Sequence, residues 1–509
     1  MFLALGFIAF SSHGATNGDW IYEIITDWDG GPLNEAKIIG YNGSGGDVSI
    51  PASLDGIPIT TIGVGQLPQP VFSSSTVVTN LVIPNGVKVI SNWAFDGNTN
   101  LKSITIPDSV THIGHAAFGG CSSLKEISIP AATTNISYYV FVNCSNLTNF
   151  LVSPLNPRFS SSNGILFNKD ETELITFPPG RNGTFEVPSN VNTIAYAAFA
   201  TAEKLTSVVI PSSVTNVVGW PFAACFGLTN ISVSADNTKY ESSEGVLYEK
   251  GLSSLIAFPP GREGTFTVPT TVSYIADVAF KKCIGLTYLN IPNTVTNLGS
   301  GLFMDCTALV GVSLPSSLTD IPSDTFANCP YLSSITLPSG ITNIGGGVFQ
   351  DCSNLVSITI PSGVTSVGQG AFVRSGLQKA YFLGAVPTNW IFSFDPDNGV
   401  LFPWSLSDFF PSSTVIFYRP GASGWASLQF NGQPNRMIMP RVKNQLLINT
   451  NNSNRYVLSF ETVSGIQYSV QKTTNLGVWS NVWSTSGDGF DKTFQEQASD
   501  RAFYRILQH

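Results

Sequence analysis

The chain has 509 residues and a formal net charge of −9, and only 11% of its residues are Asp, Glu, Lys or Arg. Typical globular domains carry about 25% charged residues. Hydrophobic residues make up 43%, with 47 Gly and 31 Pro. This balance argues against a disordered chain, which combines low hydrophobicity with high net charge. It argues equally against a nucleic-acid binder, which needs a basic face, and against a long helical bundle, whose surfaces are rich in Glu, Lys and Arg. A β-rich, turn-rich and polar but weakly charged protein is what remains.

The chain opens on the apolar run Met1 to Phe10, followed by small residues from Ser11 to Ala15. Residues 1–15 are therefore expected to be a signal peptide, with cleavage near Gly14 or Ala15. The run has no Lys or Arg before it, which a start upstream would explain; the competing reading is a buried N-terminal strand. No other stretch approaches the ~18 to 20 apolar residues of a membrane span, so no transmembrane segment is expected in the mature chain.

From residue 51 onward the sequence repeats with a period of 23. Ser103 to Pro107, Val110 to Gly114 and Ala117 to Cys121 return as Ser334 to Pro338, Ile341 to Gly345 and Val348 to Cys352. The consensus is L-x-x-I-x-I-P-x-x-V-T-x-I-G-x-x-A-F-x-x-C-x-x. Its proline recurs at Pro51, Pro84, Pro107, Pro130, Pro188, Pro211, Pro269, Pro292, Pro315, Pro338 and Pro361. Its phenylalanine recurs at Phe72, Phe95, Phe118, Phe141, Phe199, Phe222, Phe280, Phe303, Phe326, Phe349 and Phe372, which makes eleven rungs.

A unit this short cannot bury its own apolar face, so the rungs must stack into a continuous core. I-x-I-P alternates as a strand does and ends where Pro has no N–H for the ladder. V-T-x-I-G reads as a second short extended segment. A-F-x-x-C reads as a turn or a single helical turn that plugs Phe into the core.

Two rungs are longer by 35 residues, between Phe141 and Phe199 and between Phe222 and Phe280, and they match each other at an offset of 81. Gly164 to Phe167 pairs with Gly245 to Tyr248, and Phe177 to Arg181 with Phe258 to Arg262. Each insertion is read as a β-hairpin projecting from the stack.

Over about Tyr41 to Pro387 these residues resemble the BspA-type leucine-rich repeat family of bacterial secreted and surface proteins. The resemblance implies a leucine-rich repeat solenoid, a role in adhesion or in binding proteins and matrix components, and no shared catalytic residues. The expected organisation is mainly β. An N-terminal cap spans 16–50, the solenoid 51–387, a C-terminal cap 388–440 and a small β-sandwich-like module 441–509.

All seven cysteines (121, 144, 225, 283, 306, 329 and 352) stand three residues after a rung Phe, where Asn98 and Ala202 replace them in two other rungs. They read as an inward ladder of unreactive thiols, because free Cys is usually buried. His112 and His115 occupy variable outward positions without a third ligand, so no metal site is expected. No nucleophile elbow, zincin or phosphate-loop motif is present. No catalytic residue, cofactor or enzymatic activity is expected.

What remains is an outward stripe four residues after the proline, formed by Thr111, Thr134, Thr215, Thr296, Thr319, Thr342 and Thr365. The bland reading is that β-branched Thr suits an exposed strand; the functional one is a neutral, hydroxyl-rich face that binds a protein, matrix or glycan ligand. The hairpin arginines Arg181 and Arg262 are a second candidate contact, since loops on a rigid scaffold often carry binding. The leading expectation is thus a non-enzymatic secreted or cell-surface binding protein without nucleic-acid partners. The alternative is a carbohydrate-binding surface protein that stacks sugars on Trp425, Trp479 and Trp483.

Overall fold

The computed structural model describes residues 15–26, 32–64, 70–72 and 77–387, and further strands and single residues between 393 and 508. Residues 1–14 of the expected signal peptide lie outside the described residues. The described residues form strands and turns, with no helix. The chain divides into two compact units, Met1–Arg262 and Glu263–His509.

In the first unit each rung has three sides. The I-x-I segment forms one parallel sheet. In Glu126–Ile129 the two isoleucines are buried while Glu126 and Ser128 are exposed, and the strand pairs in parallel with Asn149–Val152, Ile127 opposite Phe150. The T-x-I segment forms a second parallel sheet of two-residue strands, Val89–Ile90, His112–Ile113 and Asn135–Ile136. The A-F-x-x-C segment is a turn, so the third side is a ladder of turns. Phe95 N donates to Ala117 O at 2.8 Å and Gly97 N to Gly119 O at 2.7 Å.

The period is visible as stacked rings. Phe72, Phe95, Phe118 and Phe141 lie with successive centroids 6.0, 5.4 and 5.8 Å apart and planes within 21°. Aromatic pairs of this kind add about 0.5–1.5 kcal/mol beyond their burial. The stack begins earlier than the repeat does. Ala15–Asn17, Trp20–Thr26 and Pro32–Tyr41 form an antiparallel meander whose last strand pairs in parallel with Ile57–Ile62. Trp20 and Tyr41 then close against Phe72, at 6.2 and 5.1 Å.

Both insertions contain the expected hairpin, and more. Phe159–Ser162 and Ile165–Asn168 pair antiparallel, as do Tyr240–Ser243 and Val246–Glu249. The second strand of each is fully apolar inward, with Ile165, Leu166 and Phe167 or Val246, Leu247 and Tyr248 all buried. That hydrophobic run folds the hairpin back against its own rung. The residues after it re-enter the stack: Glu173–Thr176 pairs in parallel with Thr193–Ile194, and Phe177 stacks 5.3 Å from Phe199. The 35 residues are thus a hairpin plus an extra turn of the solenoid.

In the second unit Phe280, Phe303, Phe326, Phe349 and Phe372 form a stack of their own at 5.2–5.5 Å. It takes one more step to Phe410, 4.8 Å from Phe372. Beside it Val415–Tyr418 pairs in parallel with Lys379–Phe382. With these added steps the solenoid has about 15 turns of ~23 residues. Further along, Val442–Thr450, Ser453–Glu461 and Asp491–Gln497 form one antiparallel sheet. Gln467–Thr473, Ser480–Ser486 and Phe503–Gln508 form another.

Candidate functional site

The threonine stripe lies where the sequence places it, at the entrance to the second sheet. Thr134, Thr215, Thr296, Thr319, Thr342 and Thr365 are exposed, and Thr111 is half-buried. The residue that follows each is also outward and polar in most rungs, as at His112, Asn135, Asn216, Asn297, Asp320 and Asn343. Many hydroxyl protons are already committed. Thr342 Oγ1 donates to Thr319 O at 3.2 Å and Thr365 Oγ1 to Thr342 O at 3.3 Å. Thr296 Oγ1 donates to Asn297 Oδ1 at 2.9 Å and Thr319 Oγ1 to Asp320 Oδ2 at 2.8 Å. A hydroxyl has one proton and two lone pairs. Such a row therefore offers a partner mainly acceptors, and it suits ligands rich in N–H and O–H donors.

Both arginines stand outside the hairpin strands and bind the backbone of the hairpin turn, Arg181 also that of the rung before it. Arg181 Nε donates to Thr148 O at 2.8 Å, and its terminal nitrogen reaches Asn163 O in the hairpin turn. Burial pulls this guanidinium below its ordinary pKa. Arg262 donates to Glu244 O at 2.6 Å, the equivalent turn, and lies 5.2 Å over the Phe258 ring. Each arginine thereby clips the hairpin to its rung.

The base of each hairpin holds a buried asparagine that motif reading passed over. Asn156 Nδ2 donates to Pro130 O at 2.7 Å and Thr133 O at 2.8 Å, while its Oδ1 accepts from Arg158 N at 2.9 Å and Phe159 N at 2.8 Å. Asn237 repeats all four bonds with Pro211, Val214, Lys239 and Tyr240. The offset of 81 was the available signal.

All seven cysteines are buried and unbonded to one another. Six thiols donate to the carbonyl of the Phe one rung earlier, as Cys121 does to Phe95 O at 3.3 Å and Cys352 to Phe326 O at 3.1 Å. Burial pushes Cys144 and Cys352 up to about 12, and raises Cys121, Cys225, Cys306 and Cys329 as well.

His112 is exposed, its Nδ1 2.8 Å from Thr111 Oγ1. His115 stands in a row of rings along the corner after the second sheet, edge-on to Trp93 at 5.5 Å and to Tyr139 at 5.7 Å. Tyr196 continues the row, 5.7 Å from Tyr139 and 5.2 Å from Tyr138. The tyrosines at positions equivalent to His115 were the sequence signal for this corner. Trp425 and Trp479 lie outside the described residues. Trp483 falls on Ser480–Ser486, with its side chain outside them.

The three-sided rungs and the Phe and Cys ladders define a leucine-rich repeat β-solenoid. The family model for the BspA type leucine rich repeat region matches in six copies over residues 65–182, 181–244 and 264–386. The chain belongs to that family. Among solved structures it is similar to a leucine rich cell surface protein from Faecalibacterium prausnitzii, at 30% identity over 73% of this chain and 95% of that one, with a TM-score of 0.43. It is also similar to the pneumococcal vaccine antigen PcpA, at 16% identity over 84% of this chain and 99% of that one, TM-score 0.37. A leucine-rich repeat protein from Eubacterium ventriosum shares 20% identity over 75% and 97%, TM-score 0.35. No curated protein matches the chain.

Proposed function

We propose that this protein is a secreted or surface-exposed, non-enzymatic binding protein of a bacterium, acting in adhesion through its repeat face. The observation that carries the reading is the row of exposed threonines with outward Asn, Asp and His beside them, repeated rung after rung. The family consists of surface and secreted repeat proteins that are generally non-enzymatic. Among the described residues no helix is long and apolar enough to cross a membrane. Binding would come from many weak, evenly spaced hydrogen bonds to a protein or matrix ligand, with little electrostatic capture at this charge density. The hairpin turns held by Arg181 and Arg262 are a second proposed contact.

The test is binding of the full chain to immobilised fibronectin, fibrinogen, laminin and collagen. Lysines would then be placed on the stripe at Thr134, Thr215, Thr319 and Thr342, singly and together. Graded loss with each added lysine, at unchanged melting temperature, supports multipoint contact. Binding that survives all four lysines removes the stripe as the contact. Alanine at Arg181 and Arg262 separates the hairpins from the stripe.

A further inference from the structure

In an ordinary rung four residues separate the inward Ile of the second sheet from the ladder Phe, as between Ile113 and Phe118. In the turn that closes the first insertion only two do, between Leu174 and Phe177. The corner of that turn is missing. Into the gap come side chains from the rungs on either side, Tyr138 and Tyr139 before it and Tyr196 after it. Tyr139 Oη donates to Tyr196 Oη at 3.4 Å, and a cavity of about 370 Å3 remains beside them. Thr176, Arg158 and Glu173 of the insertion complete its wall. Neither charged residue is in an ion pair among the described residues.

We propose that this notch is a binding site for a neutral saccharide of one to three residues. Its volume falls within the ~300–1,000 Å3 usual for small-ligand sites. Its chemistry is that of a sugar's complement. Tyr138, 63% exposed, presents a ring face to the apolar C–H side of a pyranose. Three phenolic oxygens, the Thr176 hydroxyl, a guanidinium and a carboxylate surround it with donors and acceptors for ring hydroxyls. The opposite charges of Arg158 and Glu173 give no net preference for an ionised ligand.

One further observation supports a selected site. The duplicated copy keeps the framework residues Asn237, Gly245 and Arg262. Where the first copy has Tyr138, Glu173 and Tyr196, however, it has Gly219, Ser254 and Asp277. The framework is thus common to both copies, as are an aromatic at Tyr139 or Trp220 and a cation at Arg158 or Lys239, while Tyr138, Glu173 and Tyr196 belong to one.

The experiment is saturation-transfer NMR and calorimetry of the full chain with maltotriose, cellotriose, mannotriose, triacetylchitotriose and, as a charged counter-probe, digalacturonate. At least one neutral probe should bind. Y138A should weaken it by about tenfold or more, the loss of one stacking face, at unchanged melting temperature. Y331A, which removes an equally exposed tyrosine (60%) on the second unit, should change nothing. Failure of every neutral probe, binding of digalacturonate alone, or binding indifferent to Y138A would overturn the proposal. Thr134 of the stripe also lines the notch, so the stripe is read out separately with the lysines at Thr215, Thr319 and Thr342.

Discussion

The thiol of Cys144 donates to the carbonyl oxygen of Phe118, 26 residues earlier, at 3.1 Å. The same bond links Cys329 to Phe303 and Cys225 to Phe199. The ladder Phe of one rung is therefore held by the Cys of the next, and core and backbone share one period.

This burial has a pH signature. The thiols are raised from an ordinary value of 9.0, Cys144 and Cys352 to about 12. Folding thus favours the protonated form. The stabilisation is complete below about pH 9 and is lost as pH rises toward 12, because only the unfolded chain releases its thiol protons in that window. The urea midpoint should fall between pH 8.5 and 10, a predicted window set by the ordinary thiol value. The fall should be smaller in the Cys144→Ala, Cys352→Ala double variant. Tyrosines raised by burial, such as Tyr240 and Tyr139, act in the same direction at higher pH, so the comparison rests on the difference between the two chains. Equal falls in both would show that the thiols carry none of it. In the native state below pH 9 the thiols should also resist alkylation, and react on addition of urea.

Asn156 is the residue on which the first hairpin turns. Replacing it by Leu leaves two carbonyls and two N–H groups without their partner in a site that water does not reach. A cost of about 3 kcal/mol or more is expected, since each unsatisfied buried group costs roughly 1–3 kcal/mol. Asn156→Asp should be worst above neutral pH, where the new carboxylate faces Pro130 O and Thr133 O. It should recover in part on acidification, as the protonated carboxyl can donate again. A denaturation series at pH 4 and pH 8 distinguishes the two variants; a pH-independent loss in the aspartate would argue against donation to the carbonyls as the reason for Asn.

Arg181→Ala should free the hairpin without unfolding the stack. The expected result in hydrogen exchange is faster exchange confined to Phe159–Ser162 and Ile165–Asn168, with the Phe ladder around Phe118 and Phe199 unchanged. Arg181→Lys should behave almost like Ala, because an ammonium cannot replace a planar group that reaches Thr148 O and Asn163 O together. Global loss of protection would instead make the arginine part of the core.

How far the fold was legible follows from where these residues sit. Pro, Phe and Cys recur at one spacing, so their inward ladder could be read from the sequence. The extra turn in each insertion could not. Its Thr172, Leu174 and Phe177 follow the rung grammar, but Thr to Phe is five residues there against seven from Thr111 to Phe118. The hairpin also separates it from the strand Asn149–Val152 that begins it. Asn156 was equally hidden, since its four partners come together only when the hairpin folds back. The threonine stripe was legible as a position. That Thr342 and Thr365 spend their protons on carbonyls of the preceding rung is a property of stacking, which no single rung displays.

The consensus glycine of V-T-x-I-G supplies a last test of the stacking distance. At Gly114 an added Cβ would lie 2.5 Å from Asn92 N, and at Gly345 2.5 Å from Ser323 N, backbone atoms of the preceding rung. Neither glycine has a positive φ, so proximity and not dihedral freedom excludes a side chain there. Backbone cannot swing away as a flexible side chain can, and the rungs on both sides are held by their own ladders. Gly114→Ala and Gly345→Ala should therefore each cost about 1–3 kcal/mol, the range of overpacked cores. Ala195 and Ala276 stand at the equivalent corner of other rungs, so the loss should depend on which rung precedes. Two alanine variants with unchanged unfolding midpoints would mean that the rungs can part by the required ångström, and that the solenoid is more compliant than its hydrogen bonds indicate.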